Sequence, residues 1–226
     1  MPMVAVYHPN ANNGHAFANF AWLGFVGSLS GYSSAPVAVC EKVWIHYTGK
    51  QNREGYPWTF LLRDVLQYDR DVDSALTRIA NARRTCSIFA GVGDGISNRF
   101  KIVEYSFESA TFLNDYNFPF YANHPHMEGL VWVDKHTQPS QDPCMTQLLE
   151  YYYQAIDPSA VFTNVTAQFQ TGDTQALVYD FANDYVYVSN CGIWDPANGL
   201  YGQPAYDRQF TRFDMQALWN EPAPTF

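Results

Sequence analysis

Stretches in which apolar residues recur at helical spacing are followed along the chain by stretches in which apolar and polar residues alternate. Two successive helices are predicted, over residues 58–68 and 72–82, because apolar side chains recur three and four positions apart in both. Asp71 or Asp73 is expected to cap the second helix, since a short carboxylate side chain accepts hydrogen bonds from the first amide groups of a helix.

After the second helix the spacing of apolar residues changes to two. This pattern predicts strands over residues 85–92, 100–106 and 110–114, with a hairpin turn at residues 93–95 (Gly-Asp-Gly). Earlier strands are predicted over residues 4–7 and 37–47, where β-branched and aromatic residues are frequent. A further short apolar run covers residues 130–133.

The last third of the chain contains helices and strands without regular alternation between them. Helices are predicted over residues 143–156 and 159–169, and a pair of strands over residues 176–179 and 185–188. The tail, with three prolines, is expected to form an irregular cover. Strands with inserted helix pairs favour an α+β fold over a doubly wound sheet.

Composition narrows the possible classes of protein. Of 226 residues, 47% are hydrophobic and 15% charged, which predicts a single folded domain over residues 1–226 with its own core. The net charge of −9 and the lack of a basic run exclude nucleic acid as an expected partner, and they are compatible with an acidic compartment. No apolar run reaches the roughly 20 residues of a membrane-spanning helix, so the chain is not expected to be transmembrane.

The four cysteines are widely scattered and have no metal-binding spacing. They are compatible with disulfides or with buried thiols. His124 and His126 flank Pro125, but no third ligand at a recognisable spacing accompanies them, so no metal and no cofactor are predicted. Residues 1–13 lack the pattern of a signal peptide, so an exported protein would need an upstream segment, and the Asn164-Val165-Thr166 sequon would then permit glycosylation.

Two stretches together carry a resemblance to a known family. They are the glycine-rich run Gly24-Phe25-Val26-Gly27-Ser28-Leu29-Ser30-Gly31 and the helix start Gly55-Tyr56-Pro57-Trp58-Thr59-Phe60-Leu61-Leu62-Arg63, with Cys40-Glu41-Lys42 between them. In this order and spacing they resemble the acyltransferase and amidase branch of the N-terminal-nucleophile hydrolases. That branch includes penicillin acyltransferases, acid ceramidase and N-acylethanolamine acid amidase. The likeness is nearest to secreted acyltransferase-like proteins of protists.

The resemblance implies a fold and a type of catalysis. The fold implied is an α+β, four-layer αββα sandwich, here incomplete at the N-terminus. In this family the first residue of the processed chain is a cysteine whose free α-amine acts as the base. The resemblance places that cysteine, with a following Arg-Asn-x-Asp segment, before the point where this chain begins. The internal cysteines lack an α-amine and are interpreted as structural.

Two further residues match the family's site pattern. Asn123, in Tyr121-Ala122-Asn123-His124, is similar to a strand-end asparagine that helps to form the oxyanion hole in this family. Glu41 matches the glutamate of the family's Asn-Glu-Arg segment. Glu41 could orient an arginine or the amine of the nucleophile, or strand alternation could point it to solvent while Cys40 and Lys42 face the other way.

Lys135 lies where acid ceramidase-like sequences carry an active-site arginine. Here the run is Val133-Asp134-Lys135-His136-Thr137. Lysine keeps the charge but loses the planar bidentate fork of arginine. This departure puts in question both the ceramidase substrate and catalysis itself.

The resemblance therefore predicts a cysteine N-terminal-nucleophile amide hydrolase or acyltransferase, lysosomal or extracellular, that acts on a lipid amide or related acyl amide. Its expected partner is an N-terminal fragment that carries the nucleophile. Two alternatives remain open: a catalytically degenerate relative that acts as a binding or structural subunit, and a phospholipase B-like lipid hydrolase on the same fold.

Overall fold

The computed structural model describes residues 1–10, 12–133, 142–200 and 202–222. The chain forms two compact units. The first comprises Met1–Pro119, His126–His136 and Gln216–Phe226, and the second Phe120–Pro125 and Thr137–Met215. The single domain predicted over residues 1–226 stays a prediction.

The first unit contains an antiparallel seven-stranded sheet in which each strand pairs with the next one along the chain. Its strands are β1 (Pro2–Tyr7), β2 (Phe17–Trp22), β3 (Gly31–Ser33), β4 (Val37–Val43), β5 (Ile88–Asp94), β6 (Arg99–Tyr105) and β7 (Ala110–Leu113). Sequential antiparallel pairing needs only short connections, and two helices of this unit enter as one insertion between β4 and β5.

These two helices, α1 (Trp58–Tyr68) and α2 (Val72–Asn81), cover one face of the sheet. Leu62 and Val65 of α1 and Ala75 of α2 are at most 2% exposed and pack against Val39 of β4 and Val92 of β5. The predicted bounds of α1 agree with the structure, and those of α2 differ by one residue. The bounds of both helices could be predicted because apolar residues at 3.6-residue spacing form one stripe, and a helix buries such a stripe against the core.

The cap of α2 was also predicted. The Ser74 amide donates to Asp71 Oδ1 (2.7 Å), and the Ser74 hydroxyl lies 3.3 Å from the Asp71 amide, so that the two side chains form a capping box. Asp71 is therefore the cap, and Asp73 lies inside the first turn. The hydrogen bonds from Ser74 lower the pKa of the Asp71 carboxyl.

The two stretches that carry the family resemblance pack on one another. The Ser28 amide donates to the Thr59 carbonyl (2.8 Å), and Arg63 Nη1 donates to the Val26 carbonyl (2.6 Å). A Cβ added at Gly27 would lie 2.6 Å from the Thr59 Cβ, so glycine is needed for α1 to approach this closely. The motif residues thus dock the helix on the connection between β2 and β3.

The second unit contains a three-stranded antiparallel sheet in the order β10, β9, β8. Its strands are β8 (Gln175–Asp180), β9 (Tyr185–Asn190) and β10 (Thr211–Asp214), and its helical segments are α3 (Cys144–Tyr152), a π-helix (Ala160–Thr166), α4 (Ala167–Phe169) and two 3₁₀ turns (Pro196–Asn198 and Ala205–Asp207). A last helix, α5 (Met215–Asn220), follows β10, and all of it except Met215 belongs to the first unit. Antiparallel sheets with separate helices confirm the predicted α+β class.

Several predictions of local structure were incomplete or wrong. Strand β4 ends at Val43 rather than at residue 47, and β5 begins at Ile88 rather than at residue 85. Strands β2 and β3 were not predicted, because both of their faces are buried and apolar–polar alternation is lost. The tail was expected to be irregular, yet its described part contains β10 and α5. Helix α3 ends at Tyr152 rather than at residue 156. The turn after β5 starts later than predicted, since Asp94 still pairs with Arg99.

Candidate functional site

A cavity of about 180 Å³ lies against the face of β4, β5 and β6 that is turned away from α1 and α2. The strand register puts Cys40, Gly91 and Ile102 in one row across this face. Lys42 and Phe89 form part of the next row, and the Trp132 side chain also lines the cavity. The helix-covered face is filled with core residues, whereas this one leaves space for a small group.

Gly91 sets the floor of the cavity. A Cβ at this position would lie 2.6 Å from Cys40 Sγ and 2.8 Å from Phe100 Cζ, so any larger residue would displace the walls. Its neighbours on this face can therefore approach the backbone of β5 closely. The bare glycine backbone thus sets how deep the cavity extends.

Lys42 is one of the lining residues of the cavity, and its ammonium group is buried. The Nζ atom lies 5.2 Å from the centroid of the Phe89 ring, which is within the range of a cation–π contact. The Phe89 ring also packs against Trp44 at 4.7 Å between centroids. This arrangement presents carbon rather than charge to the cavity.

Glu41 leaves β4 from the other face of the sheet. It pairs with Ala90, which pairs in turn with Val103, and both are residues of the helix-covered core. Burial raises the pKa of the Glu41 carboxyl, and the positive charge of Lys42 partly opposes this rise. Strand alternation thus separates Glu41 from Cys40 and Lys42 as the sequence allowed, but Glu41 is half-buried on the helix-covered face rather than directed to solvent.

All four cysteines lie among the described residues and carry free thiols. Burial raises the pKa of the Cys40 thiol to about 11, and it also raises the pKa of Cys86 and Cys144. Since the thiolate is the nucleophile, these side chains are poorly suited to attack a carbonyl at neutral pH. For Cys40, Cys86 and Cys144 this agrees with the interpretation of the internal cysteines as structural.

Asn123 lies in the second unit, in a tight turn closed by reciprocal backbone hydrogen bonds between Tyr121 and His124 (3.2 and 2.9 Å). The hydroxyl of Thr146, in the first turn of α3, donates to the Asn123 carbonyl (2.6 Å). The backbone of this turn is therefore held by a helix, and this fixes the position of the Cα atom from which the half-buried Asn123 side chain extends. An oxyanion-hole donor requires a backbone that holds it in place before the reaction.

The predicted site residues are distributed over different parts of the chain. Glu41 belongs to the first unit and Asn123 to the second, while Lys135 lies outside the described residues. Their assembly into one catalytic centre stays a prediction.

A second, more open groove lies between α1 and α2 in the first unit, with Asp69 and Arg78 among its lining residues. The two form a bidentate ion pair at 2.7 and 3.0 Å, and the Tyr56 hydroxyl donates to Asp64 at 2.6 Å. These charged groups already have partners, so the groove is a weaker candidate for ligand binding.

Across the described ranges, no cluster of three or more His, Cys, Asp or Glu side chains is arranged to hold a metal ion. None of the helices in those ranges has both the length and the apolar character needed to span a bilayer.

The sequence did not single out the residues of the cavity. Cys40 and Lys42 were seen to share a face of a strand, but their importance depends on Gly91 and Ile102, which lie about 50 and 60 positions further along the chain. The only available signal was the glycine within an otherwise apolar strand, which is typical of a close approach or a bulge.

Sequence comparison identifies two long relatives from Dictyostelium discoideum. Protein dcd1A is 40% identical over 233 aligned positions, which cover 97% of this chain and 52% of dcd1A. Protein dcd1B is also 40% identical, over 99% of this chain and 46% of its own length. The chain thus spans about half the length of the curated relatives it matches. No protein-family model matches it.

Comparison with solved structures identifies the fold. A mutant of the conjugated bile acid hydrolase from Clostridium perfringens superposes with a TM-score of 0.58 at 13% identity, over 96% of this chain and 83% of that one. An N-acylethanolamine-hydrolyzing acid amidase ortholog from Caenorhabditis elegans gives 0.50 at 14% identity, over 94% and 87%. The predicted N-terminal-nucleophile hydrolase fold is confirmed.

Proposed function

We propose that this chain forms the larger part of a cysteine N-terminal-nucleophile amidohydrolase or acyltransferase that cleaves a lipid amide or a related small acyl amide. The observation that carries the proposal is the fold, since a conjugated bile acid hydrolase superposes on 96% of the chain. The apolar cavity on the face of β4–β6 supports it, because an acyl group needs an apolar site.

The attacking thiol is proposed to come from a segment outside this chain. Burial raises the pKa of Cys40, Cys86 and Cys144, so these internal thiols are mostly protonated at neutral pH. The shared region covers about half of dcd1A and dcd1B, and we place the nucleophile in additional sequence of this kind. The segment would remain bound without a covalent link after proteolysis, and its free α-amine would be the base.

In this mechanism Asn123 donates a side-chain hydrogen bond to the oxyanion that forms when the thiolate attacks the amide carbonyl. The turn that holds Asn123 is anchored by Thr146, so the donor needs little reorganisation during the reaction. Glu41 and Lys135 are proposed to arrange charge around the site. The Glu41 side chain would do so from the helix-covered side of β4.

The test is an amidase assay on the native protein that contains this chain, with its polypeptides identified by intact-mass analysis. A panel of fluorogenic acyl amides is expected to be hydrolysed. Asn123→Ala should lower kcat by about 100-fold or more, because one oxyanion donor contributes about 3 kcal/mol. Asn81→Ala, an exposed position at the end of α2, is the matched control and should leave kcat unchanged.

Two results would overturn parts of the proposal. Amidase activity in material that contains only this polypeptide would exclude the separate fragment. A native protein that hydrolyses no amide of the panel, although it binds acyl amides, would favour the alternative of a non-catalytic binding subunit. That alternative is supported by the protonated internal thiols and by the lysine at position 135 in place of arginine.

We also propose a lysosomal or extracellular location. The acidic composition supports it, since the chain has a net charge of −9. The sequon residue Asn164 lies in the π-helix and is half-buried. A mobility shift of the native protein on deglycosylation, lost in Asn164→Gln, is expected, and an unglycosylated native protein in the cytosol would contradict this location.

A further inference from the structure

We infer that the cavity between Cys40, Phe100 and Trp132 accepts a neutral acyl group of about six carbons or a single ring, and that it limits the substrate to short acyl amides. This inference deepens the proposed function and rests on it for the chemistry, but the binding itself can be measured without catalysis. It depends on three properties of the cavity: its polarity, its floor and its volume.

The polarity excludes a charged ligand group. The buried ammonium of Lys42 lies over the Phe89 ring, and the surface that the lining residues expose to the cavity is almost entirely apolar. The Cys40 thiol is neutral at physiological pH, because burial raises its pKa to about 11. Glu41 also borders the cavity, but its side chain leaves β4 from the other face, and the other wall residues are apolar. A carboxylate would therefore lose its hydration without receiving hydrogen bonds in return.

The floor gives the cavity a fixed depth. The Cys40 sulfur and the Phe100 ring approach the backbone at Gly91 so closely that even a Cβ would not fit there. Ile102, next to Gly91 in the same cross-strand row, is 4% exposed and is also held by the sheet. A rigid floor built from three strands cannot deepen for a longer chain without separating strands.

The volume sets the size of the ligand. At about 180 Å³ the cavity is slightly larger than an apolar cavity of about 150 Å³, which binds benzene, and smaller than the roughly 300–1,000 Å³ of sites for drug-sized ligands. A single ring or a chain of about six carbons fills it. A longer acyl chain would have to place its remaining carbons outside.

The experiment is a calorimetric titration of the 226-residue chain with neutral primary amides of increasing length, from butanamide to decanamide. The dissociation constant should fall about fourfold per added methylene up to hexanamide, which corresponds to about 0.8 kcal/mol per buried CH₂ group. From hexanamide to decanamide it should change less than twofold. A constant fall through decanamide, or no binding of any amide, would refute the inference.

Variants test whether this cavity causes the break in the series, that is, the chain length beyond which the dissociation constant stops falling. Ile102→Ala enlarges it and should move the break beyond hexanamide, whereas Ile96→Ala, at a 72% exposed position, is the matched control and should leave the series unchanged. Val131→Phe should fill the cavity and weaken hexanamide binding at least tenfold. Because Ile102→Ala could unfold the chain, Val131→Phe at a half-buried loop position provides an independent result.

An assay of the native protein separates this inference from the proposed function. With anilides of acyl groups of four, six and twelve carbons, kcat/KM should be highest for six. Hydrolysis that is fastest for twelve carbons would refute the size limit and leave the amidase proposal intact. A break in the binding series without hydrolysis of any anilide would refute the amidase proposal and leave the cavity assignment intact.

Discussion

Replacement of Asp94 by asparagine should destabilise the first unit, because this carboxylate joins α2 to the β5–β6 turn. Asp94 is fully buried, and its Oδ2 accepts a hydrogen bond from the Val72 amide at the start of α2 (2.9 Å). The Ser97 amide (2.5 Å) and hydroxyl (2.6 Å) donate to its two oxygens from the turn. One side chain thus satisfies three donors from two segments.

The expected loss in free energy of unfolding follows from the number of hydrogen-bond donors that Asp94 satisfies. Burial alone would raise the pKa of the Asp94 carboxyl, but the hydrogen bonds from Ser97 and Val72 outweigh it and lower the pKa. A hydrogen bond to a charged group contributes about 1.5–3 kcal/mol, and asparagine keeps one acceptor oxygen but turns an NH₂ group towards a donor. We expect Asp94→Asn to lower the free energy of unfolding by about 3 kcal/mol, or the Tm by about 6–12 °C for a chain of this length.

The assay is urea unfolding of wild type and Asp94→Asn between pH 7 and pH 3. The folded-state pKa of Asp94 is lower than its unfolded value, so its contribution is complete above an unfolded pKa of about 4 and is lost as the pH falls through the folded value. The difference in stability between the two proteins should therefore be largest at neutral pH and should shrink below pH 4.

Asp73→Asn is the matched control. Asp73 is an exposed carboxylate in the first turn of α2, next to Val72, and it forms a surface ion pair with Arg99 at 2.7 Å. Surface pairs contribute little, so no measurable change is expected there. Equal stability of Asp94→Asn and wild type at pH 7, or a difference that does not vary with pH, would refute the reasoning.

Three further predictions concern buried polar groups. Ser28→Ala should lower the free energy of unfolding in urea by about 1–3 kcal/mol, because Oδ1 of the fully buried Asn19 loses its donor (2.5 Å). Ser34→Ala, at an exposed position, should change it very little, and equal effects of the two substitutions would contradict this prediction. The Cys40 thiol should resist iodoacetamide at pH 7.5 in the folded chain and react once the chain is unfolded, and rapid labelling of the native protein would contradict its pKa of about 11. Glu41→Gln should stabilise the chain at pH 7, because the raised pKa of this carboxyl in the folded state means that folding disfavours its charged form. The gain in stability should vanish as the pH falls below about 4, where the carboxyl is protonated in both states. Destabilisation at pH 7 would show instead that the carboxylate has a favourable partner.

How far the sequence predicted the fold depended on how many faces of an element are buried. Helices α1 and α2 have one apolar stripe each, and their positions were predicted to within a residue. The buried strand β2 reads as Phe-Ala-Asn-Phe-Ala-Trp and gives no alternation, so it was missed. The polar residue within it, Asn19, is explained only by Ser28 and Gly27, which its side chain contacts across the β2–β3 connection.

The candidate site was predicted less completely than the fold. Asn123 was chosen by resemblance, and the structure adds that Thr146 of α3 fixes its turn. Glu41 was chosen in the same way, and the register then placed it on the face opposite the cavity. Cys40 and Lys42 were seen to share a face of β4, but the cavity beside them could not be predicted because their neighbours on the sheet come from distant parts of the sequence.

The sequence by itself determined the helices with clear apolar stripes, two candidates for the cap of α2, the α+β class and, by resemblance, the N-terminal-nucleophile hydrolase fold. These follow from local spacing and from a motif order that can be read along the chain. Only the tertiary structure decided which face of β4 is covered by helices and which borders the cavity. The physical reason is that alternation separates Glu41 from Lys42 onto opposite faces, but the partners that distinguish the faces, such as Gly91 and Ile102, are supplied by strand pairing across some 50 to 60 residues.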